Sequence, residues 1–565
     1  MDEPRHATNC VLLEAVNFIE NIFTRLQQAG GRAVLAEAQS GGNRTATGAE
    51  LLAQIGAARG FLRGAGLAKG DRCALIAPNS IRWTALDLAI IAEGLVAVPL
   101  YARQAPAELA AMLRDSAPGL ICCGDAALRD AISAAWLGAP RFVLFDEIFT
   151  PIPQASASGA VGPAALLPQD VVAILYTSGT SGEAKGVMLT VANLDHMLSC
   201  TGARLDQLMG SRKEPEQVFH YTPLCFAASW ILLLSCLLRT SVLTFSIDLT
   251  KLADEIRSAS PNYFLNVPLL LERMRAGIKD SIRKRGGAIA KIFAHAEEAW
   301  FRVDAKAPKP WDFFRLGLAG LLIFPSIRKR VGPNLRAMIC GSAPLARETQ
   351  LFFMMLGIPV LQGYGLTETT GICTLDDPRH VEPGRVGPAI PGIEMKLGEN
   401  DEIIVRGPNI FLGYWRRPEQ TAAVLRDGWF HTGDQGDVDA AGNWRISGRI
   451  KNLIILNSGH NIAPEPIEEE LLRAVPGAQH VVLVGNGRSF LSAIIAGTNG
   501  DADIESLIGR VNEGMPHYRK IRRFHVSKEL FTIENGLLTA NGKLRRDTIA
   551  ARFAAEIEQM YAKQE

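Results

Sequence analysis

The sequence predicts an α/β fold. It reads as a large N-terminal portion of parallel sheets and covering helices, carrying a small β-rich subdomain, followed by a small α+β domain. Three observations carry that reading. Residues 72–77, 83–92 and 96–100 alternate as strand, helix and strand, the unit of a parallel sheet with helices on its faces. Residues 171–175 and 187–190 are apolar, β-branched runs on either side of a glycine-rich stretch, a strand–loop–strand pattern. Between Gly384 and Trp444 the pattern shortens to brief strands and turns. At 565 residues the chain exceeds one ordinary core, and roughly two to four domains or subdomains are expected.

Taken in order, Thr47 and Glu50 form a capping box before a helical pattern over residues 51–62, which stops at Gly64 and Gly66. Pro78 ends the strand that begins at Arg72. Residues 154–168, rich in Ala, Ser, Gly and Pro, read as a surface loop. Asn193 is expected to start a helix, and residues 218–238 are apolar enough for a buried core helix or a pocket wall. Residues 272–330 break the rhythm: fourteen Lys and Arg face six Asp and Glu, a local charge of +8, with Trp300, Phe301, Trp311, Phe313 and Phe314 interleaved. That composition suits either a solvated helical face or an interfacial membrane segment. Strands follow at 335–340 and 359–361. Residues 468–474 read as a helix, and 481–484 and 491–495 as strands.

The bulk composition excludes several classes. A net charge of only +1 gives no argument for a nucleic-acid partner. The nine cysteines are scattered, without metal-ligand spacing, and the adjacent pair Cys122–Cys123 lies in an apolar run, so reduced cytosolic thiols are expected. Residues 1–6 lack the shape of a signal peptide, and no run of about 18 uncharged apolar residues occurs.

Five stretches carry the chemistry. Thr177, Ser178, Gly179, Thr180, Ser181, Gly182 and Lys185 combine hydroxyls, glycines and a cation, a surface suited to polyphosphate. It is not a Walker A loop, because Lys185 stands three residues beyond Gly182 and no helix follows at once. Gly341, Ser342 and Ala343 follow one predicted strand, and Gly363, Tyr364, Gly365, Thr367 and Glu368 follow the next. Ligands of open α/β sheets gather at that carboxyl edge. A tyrosine between glycines offers a face to a purine, and the hydroxyl and carboxylate suit a phosphate oxygen and a hard cation. His431–Asp434 reads as a turn with an Asp. Gly448–Asn452 continues to Ser458, Gly459 and His460. Near the end, Gly542–Lys543 lies in a polar loop.

In that order, these stretches resemble the signatures of the adenylate-forming superfamily, over roughly residues 40–550. Softer features, including Gly341–Leu345 and the basic insertion, resemble its bacterial long-chain fatty acid–CoA ligases. The resemblance implies ATP, Mg²⁺ and coenzyme A as reactants, with a fatty acid of medium to long chain. It implies that Thr180, Lys185 and the glycine loop hold the β- and γ-phosphates, that Glu368 holds the metal, and that Tyr364 holds adenine. Asp434 and Arg449 are matched to the ribose. Lys451 is matched to a pivot between residues 1–448 and a small mobile domain, 449–565, Gly459 to the thiol-admitting face, and Lys543 to the carboxylate and α-phosphate. Catalytic roles thus fall to Lys543, Thr180, Lys185 and Glu368. The chain departs from the pattern where Phe226 and Ser229 replace a His and a Glu, and where the Pro usual in the Lys543 loop is absent. An acyl-carrier-protein ligase, an aryl or short-chain acid ligase and a non-catalytic acyl or nucleotide binder remain open. The expected setting is cytoplasmic, with peripheral contact to an anionic inner membrane surface.

Overall fold

The computed structural model describes residues 17–39, 42–136, 138–149, 162–177, 184–210, 214–498, 503–539 and 542–562. Two large sheets organise the N-terminal portion. The first has eight described strands in the order Thr374–Leu375, Val360–Tyr364, Ala337–Cys340, Tyr263–Asn266, Glu216–His220, Ser241–Phe245, Ala33–Glu37 and Arg44–Thr47. Its inner pairs are parallel and both end pairs antiparallel. The second has seven: Gly413–Tyr414, Lys185–Thr190, Val171–Thr177, Val96–Leu100, Arg72–Ile76, Leu120–Cys123 and Phe142–Leu144.

The apolar stretch 218–238 is not one helix: it begins in the strand Glu216–His220, and only Ala227–Leu238 is helical, an element that shows why these layers pack. It is apolar all round, and ten of its side chains are buried, as a helix without a polar face requires. Its Trp230 donates Nε1–H to Asp87 Oδ2 at 2.8 Å, satisfying the indole inside the core. The capping box at Thr47 forms as expected, with reciprocal bonds to Glu50, although the helix runs from Gly48 to Gly64. The helix expected from Asn193 instead spans Val191–Met209. Thr190 is its N-cap, and Asn193 is the reciprocal capping partner.

The strands near the site also differ from the sequence reading. Ala337–Cys340 begins two residues late, and Val360–Tyr364 runs three residues further than expected, so Gly363 and Tyr364 belong to the sheet itself. His431–Asp434 is no turn. It lies inside the ten-residue strand Trp429–Val438, paired on both edges in the small β-rich sheet. Gly433 at φ +70° and a bulge past Gln435 accommodate the local turn composition within that strand. The basic insertion is helical: Pro268–Arg285, Gly287–Asp304, Asp312–Leu322 and Phe324–Val331. Beyond Arg449, a three-stranded sheet of His480–Val484, Leu491–Ala496 and Ile521–Ser527 packs with the helices Glu465–Ala474, Ile504–Val511, Arg546–Arg552 and Ala554–Tyr561.

Candidate active site

Strand register builds the centre of the site. Asp434 lies directly opposite Arg449 on the neighbouring strand Trp444–Arg449, and Arg449 Nε reaches Asp434 Oδ1 at 2.9 Å. Tyr364, at the end of its parallel strand, donates its hydroxyl to Asp434 Oδ2 at 2.8 Å. Asp434 is only 3% exposed. Burial pushes its carboxyl pKa up, against the lowering pull of Arg449, Tyr364 and Lys543.

The two parallel strands before the glycine-bearing loops are neighbours, with Cys340 opposite Gln362. Gly341 and Gly363 therefore sit side by side, and a Cβ on Gly341 would stand 3.2 Å from the Gly363 carbonyl. Ser342 takes a left-handed φ of +72°, which turns the chain sharply toward Ala343. Gly365 has no alternative: a Cβ there would lie 2.4 Å from Ile372 Cα. Thr367–Thr369 then form a single 3₁₀ turn.

Glu368 is tied to the strand Lys185–Thr190 through Tyr414, whose hydroxyl donates to Glu368 Oε1 at 2.9 Å. Tyr414 pairs with Val187 across the sheet, and Lys185 Nζ sits 5.0 Å from its ring centroid. Thr177 and Lys185 face each other across the antiparallel pair. Ser178, Gly179, Thr180, Ser181 and Gly182 lie outside the described residues.

The C-terminal segment supplies two further cations. Lys451 follows Arg449 in the 3₁₀ turn Ile450–Asn452. Poor hydration of its ammonium, then the charges of Arg449 and Lys185, lower its pKa to about 8. Lys543 is held in its turn by Thr539, whose backbone N–H donates to the Lys543 carbonyl at 2.8 Å and whose hydroxyl accepts from the Lys543 N–H at 3.1 Å. Lys543 is solvent-exposed, yet the surrounding protein and Arg449 lower its pKa, while Asp434 and Glu368 pull it back. Lys185, Arg449, Lys451 and Lys543 thus converge on two carboxylates, Asp434 and Glu368. Such a cation excess suits a polyanion.

Gly459 is the predicted site residue that stands apart. At φ +81° it turns between the short strands Ile454–Ile455 and Asn461–Ile462. Beside it Ser458 Oγ and His460 Nδ1 are 2.9 Å apart, and His460 stacks on Tyr518 at 4.1 Å. Among the described residues, no hydrogen bond or ion pair joins this turn to the Asp434 cluster. At the departure from the ligase pattern, Phe226 is the N-cap residue of the buried helix and lies 5.9 Å from the Tyr101 ring. Ser229 Oγ bonds Thr222 Oγ1 at 2.9 Å. Tyr414 escaped the sequence reading altogether, because its importance depends on a sheet pairing more than 200 residues back along the chain.

Fold and site together define an α/β enzyme class with a cluster of cations at the carboxyl edge of its sheet. The AMP-binding enzyme model matches residues 23–415, and the AMP-binding enzyme C-terminal domain model matches residues 451–565. The chain belongs to the AMP-binding enzyme family, the adenylate-forming superfamily. It is 29% identical to the long-chain-fatty-acid–CoA ligase FadD15 of Mycobacterium tuberculosis, covering 92% of each chain. It is 26% identical to long chain acyl-CoA synthetase 3 of Arabidopsis thaliana, covering 89% of this chain and 84% of that one. Among solved structures, ATP-bound MatB from Rhodopseudomonas palustris is similar, with a TM-score of 0.72, 25% identity and coverage of 94% of this chain and 99% of that one. The anthranilate CoA ligase AuaEII with anthranoyl-AMP shares the fold at a TM-score of 0.74 and 19% identity, covering 96% and 98%.

Proposed function

We propose that the protein activates a fatty acid of medium to long chain with ATP, as an acyl-adenylate, and transfers the acyl group to coenzyme A. The observation that carries this reading is the convergence of Lys185, Arg449, Lys451 and Lys543 around Asp434 and Glu368, in a chain related along its length to FadD15.

The chemistry requires such a cluster. A carboxylate attacking the α-phosphate brings two anions together, so fixed positive charge must offset their repulsion. Lys543 neutralises the carboxylate and α-phosphate oxygens. Lys185 and the glycine loop, with Thr180, hold the β- and γ-phosphates, and Thr367 faces a phosphate oxygen. Tyr364 holds adenine, Asp434 and Arg449 hold the ribose, and Gly341–Ala343 floor the site. The carboxylate oxygen bonds to phosphorus as pyrophosphate departs. In the second step a thiolate attacks the acyl carbon and AMP leaves.

The residues fit Mg²⁺. Among the described residues, no group of three or more His, Cys, Asp or Glu side chains forms an all-protein cage, and Mg²⁺ commonly takes one or two carboxylates plus substrate phosphates. Glu368 supplies that carboxylate, one oxygen of which is already oriented by Tyr414. When bound, the ion would neutralise phosphate charge.

Between the steps, residues 449–565 swing about Lys451 against residues 1–448. The Lys543 loop withdraws, and the Gly459 turn comes in to admit the thiol. The test is ATP–pyrophosphate exchange that needs a fatty acid and Mg²⁺ but no coenzyme A, followed by thioester formation across acids from acetate to oleate. A folded protein with no exchange on any carboxylic acid refutes the reading. Preference for aromatic or short acids, or for a carrier-protein thiol, selects a sister activity.

We also infer a cytoplasmic setting with reversible contact to an anionic inner membrane surface. No described helix is long and apolar enough to cross a membrane. On the helix Asp312–Leu322, Phe314 and Leu321 share one face, with Trp311 just before it, and they are 63%, 76% and 68% exposed. Exposed Arg285, Lys291, Lys306, Lys309, Arg328, Lys329 and Arg330 surround the insertion. Each well-placed cation contributes about 1 kcal/mol toward an anionic surface. Sedimentation with anionic vesicles at low salt and release at high salt is expected. Replacing Trp311, Phe314 and Leu321 by Ser should abolish it without changing turnover of detergent-dispersed acid, and unchanged sedimentation would make the insertion a solvated structural element.

A further inference from the structure

The loop that carries Lys543 is tied to a helix 437 residues away. Arg545 Nη2 lies 2.6 Å from Glu108 Oε1. Glu108 stands in the first turn of the helix Pro106–Ser116, and Gln104 Nε2 donates to its other oxygen at 2.8 Å. The same helix grips the phosphate strands at its opposite end. Asp115 Oδ2 accepts the Tyr176 hydroxyl at 2.6 Å, the Asp115 carbonyl accepts Trp415 Nε1–H at 3.0 Å, and Asp115 Oδ1 pairs with Arg417 at 3.0 Å. Tyr176 lies opposite Gly186, and Trp415 N–H donates to the Gly186 carbonyl at 2.7 Å. One helix thus touches both the strands that flank the phosphate loop and the loop that delivers Lys543.

Two adjacent arginines divide the work. Arg546 turns inward to Glu468, with bonds of 2.6 and 2.5 Å, and anchors the loop within its own C-terminal segment. Arg545 reaches outward to the N-terminal portion. A further crossing pair, Arg473–Glu348 at 2.9 Å, is more exposed on both sides than Arg545–Glu108. An outward tether is needed for a physical reason. Lys543 enters a region already holding Arg449, Lys451 and Lys185, and like charges oppose that approach until a polyanion is bound.

We propose that Glu108 is a positioning residue: through Arg545 it holds the Lys543 loop on the N-terminal portion for adenylation, and it lets go for thioester formation. The proposal rests on the ligase reading above and adds to it the group that sets how long the enzyme stays in its first conformation. Lys543 acts on the substrate, whereas Glu108 acts only through the loop.

The experiment compares the unaltered protein with Glu108→Gln, Arg545→Gln and the charge exchange Glu108→Arg/Arg545→Glu. Three quantities are read: fatty-acid-dependent ATP–pyrophosphate exchange, thioester formation from supplied acyl-adenylate, and amide hydrogen exchange of Leu538, Lys543 and Leu544. Each single variant should slow pyrophosphate exchange by about 3- to 10-fold, the scale of a partly exposed ion pair. Thioester formation from supplied adenylate should be unchanged or faster, and the three amides should exchange faster. The charge exchange should restore at least half of the lost rate. Parallel loss of both half-reactions, or unchanged amide protection, overturns the proposal. Absence of pyrophosphate exchange from the unaltered protein overturns the ligase reading instead, and the amides then decide the tether alone.

Discussion

Replacing Lys543 by Ala is expected to slow acyl-adenylate formation by about 10²–10³-fold, the scale of losing one preorganised electrostatic donor. Acyl transfer from supplied acyl-adenylate should stay within about 3-fold of the unaltered protein, a barrier difference under about 1 kcal/mol. The asymmetry follows from where the lysine is carried. Its turn is pinned by Thr539 and tethered by Arg545, so the ammonium is present only while this loop is docked. In the proposed cycle the loop leaves before thioester formation, and a side chain that has left makes no contribution. Single-turnover measurement of each half-reaction checks the split. Equal losses would mean that one conformation serves both steps.

The second large effect is expected at Asp434. Its carboxylate is nearly sealed from water and holds both Arg449 and the Tyr364 hydroxyl. Asp434→Ala leaves Arg449, whose side chain is 33% exposed, without its partner and the Tyr364 hydroxyl without its acceptor, a loss of about 1–3 kcal/mol. Burial pushes the Asp434 pKa up, so keeping this charge buried is itself unfavourable and offsets part of that loss. Asp434→Asn should lose less, since the amide still offers an oxygen to Tyr364. Urea unfolding of the three proteins gives the stability order, and AMP titration should show both variants binding at least about 10-fold more weakly, a loss of about 1.4 kcal/mol. An Ala variant as stable as the parent would mean that desolvation cancels the ion pair entirely.

What was legible in the chain was local. The Thr47–Glu50 box, the apolar helix ending at Leu238 and the strands beside Cys122 follow from patterns a few residues long, which neighbouring backbone alone enforces. The misplaced start at Asn193 has the same origin, because Thr190 and Asn193 both carry side-chain oxygens able to cap, and only the folded helix assigns which is first. His431–Asp434 looked like a turn because Gly433 and Asp434 favour one. Pairing on both edges overrode that preference, as sheet context often does. The composition of the site was readable, but its geometry was not. Asp434 meets Arg449 through a register that includes a bulge, Tyr414 meets Glu368 through a sheet pairing, and Glu108 meets Arg545 across most of the chain. No periodicity records such encounters.

In the proposed nucleotide site, the low pKa of Lys451 ties capture of the triphosphate to proton traffic. Poor hydration and the charges of Arg449 and Lys185 lower the pKa of this ammonium from its ordinary 10.5 to about 8. A bound triphosphate reverses the surrounding potential and draws that value back up. Between those two values, binding must therefore take a proton from the medium. Affinity is fullest below about pH 8 and declines as the solution becomes more alkaline, and departing pyrophosphate hands the proton back. The ligase would then feel alkalinity through a side chain set apart from the bond being made.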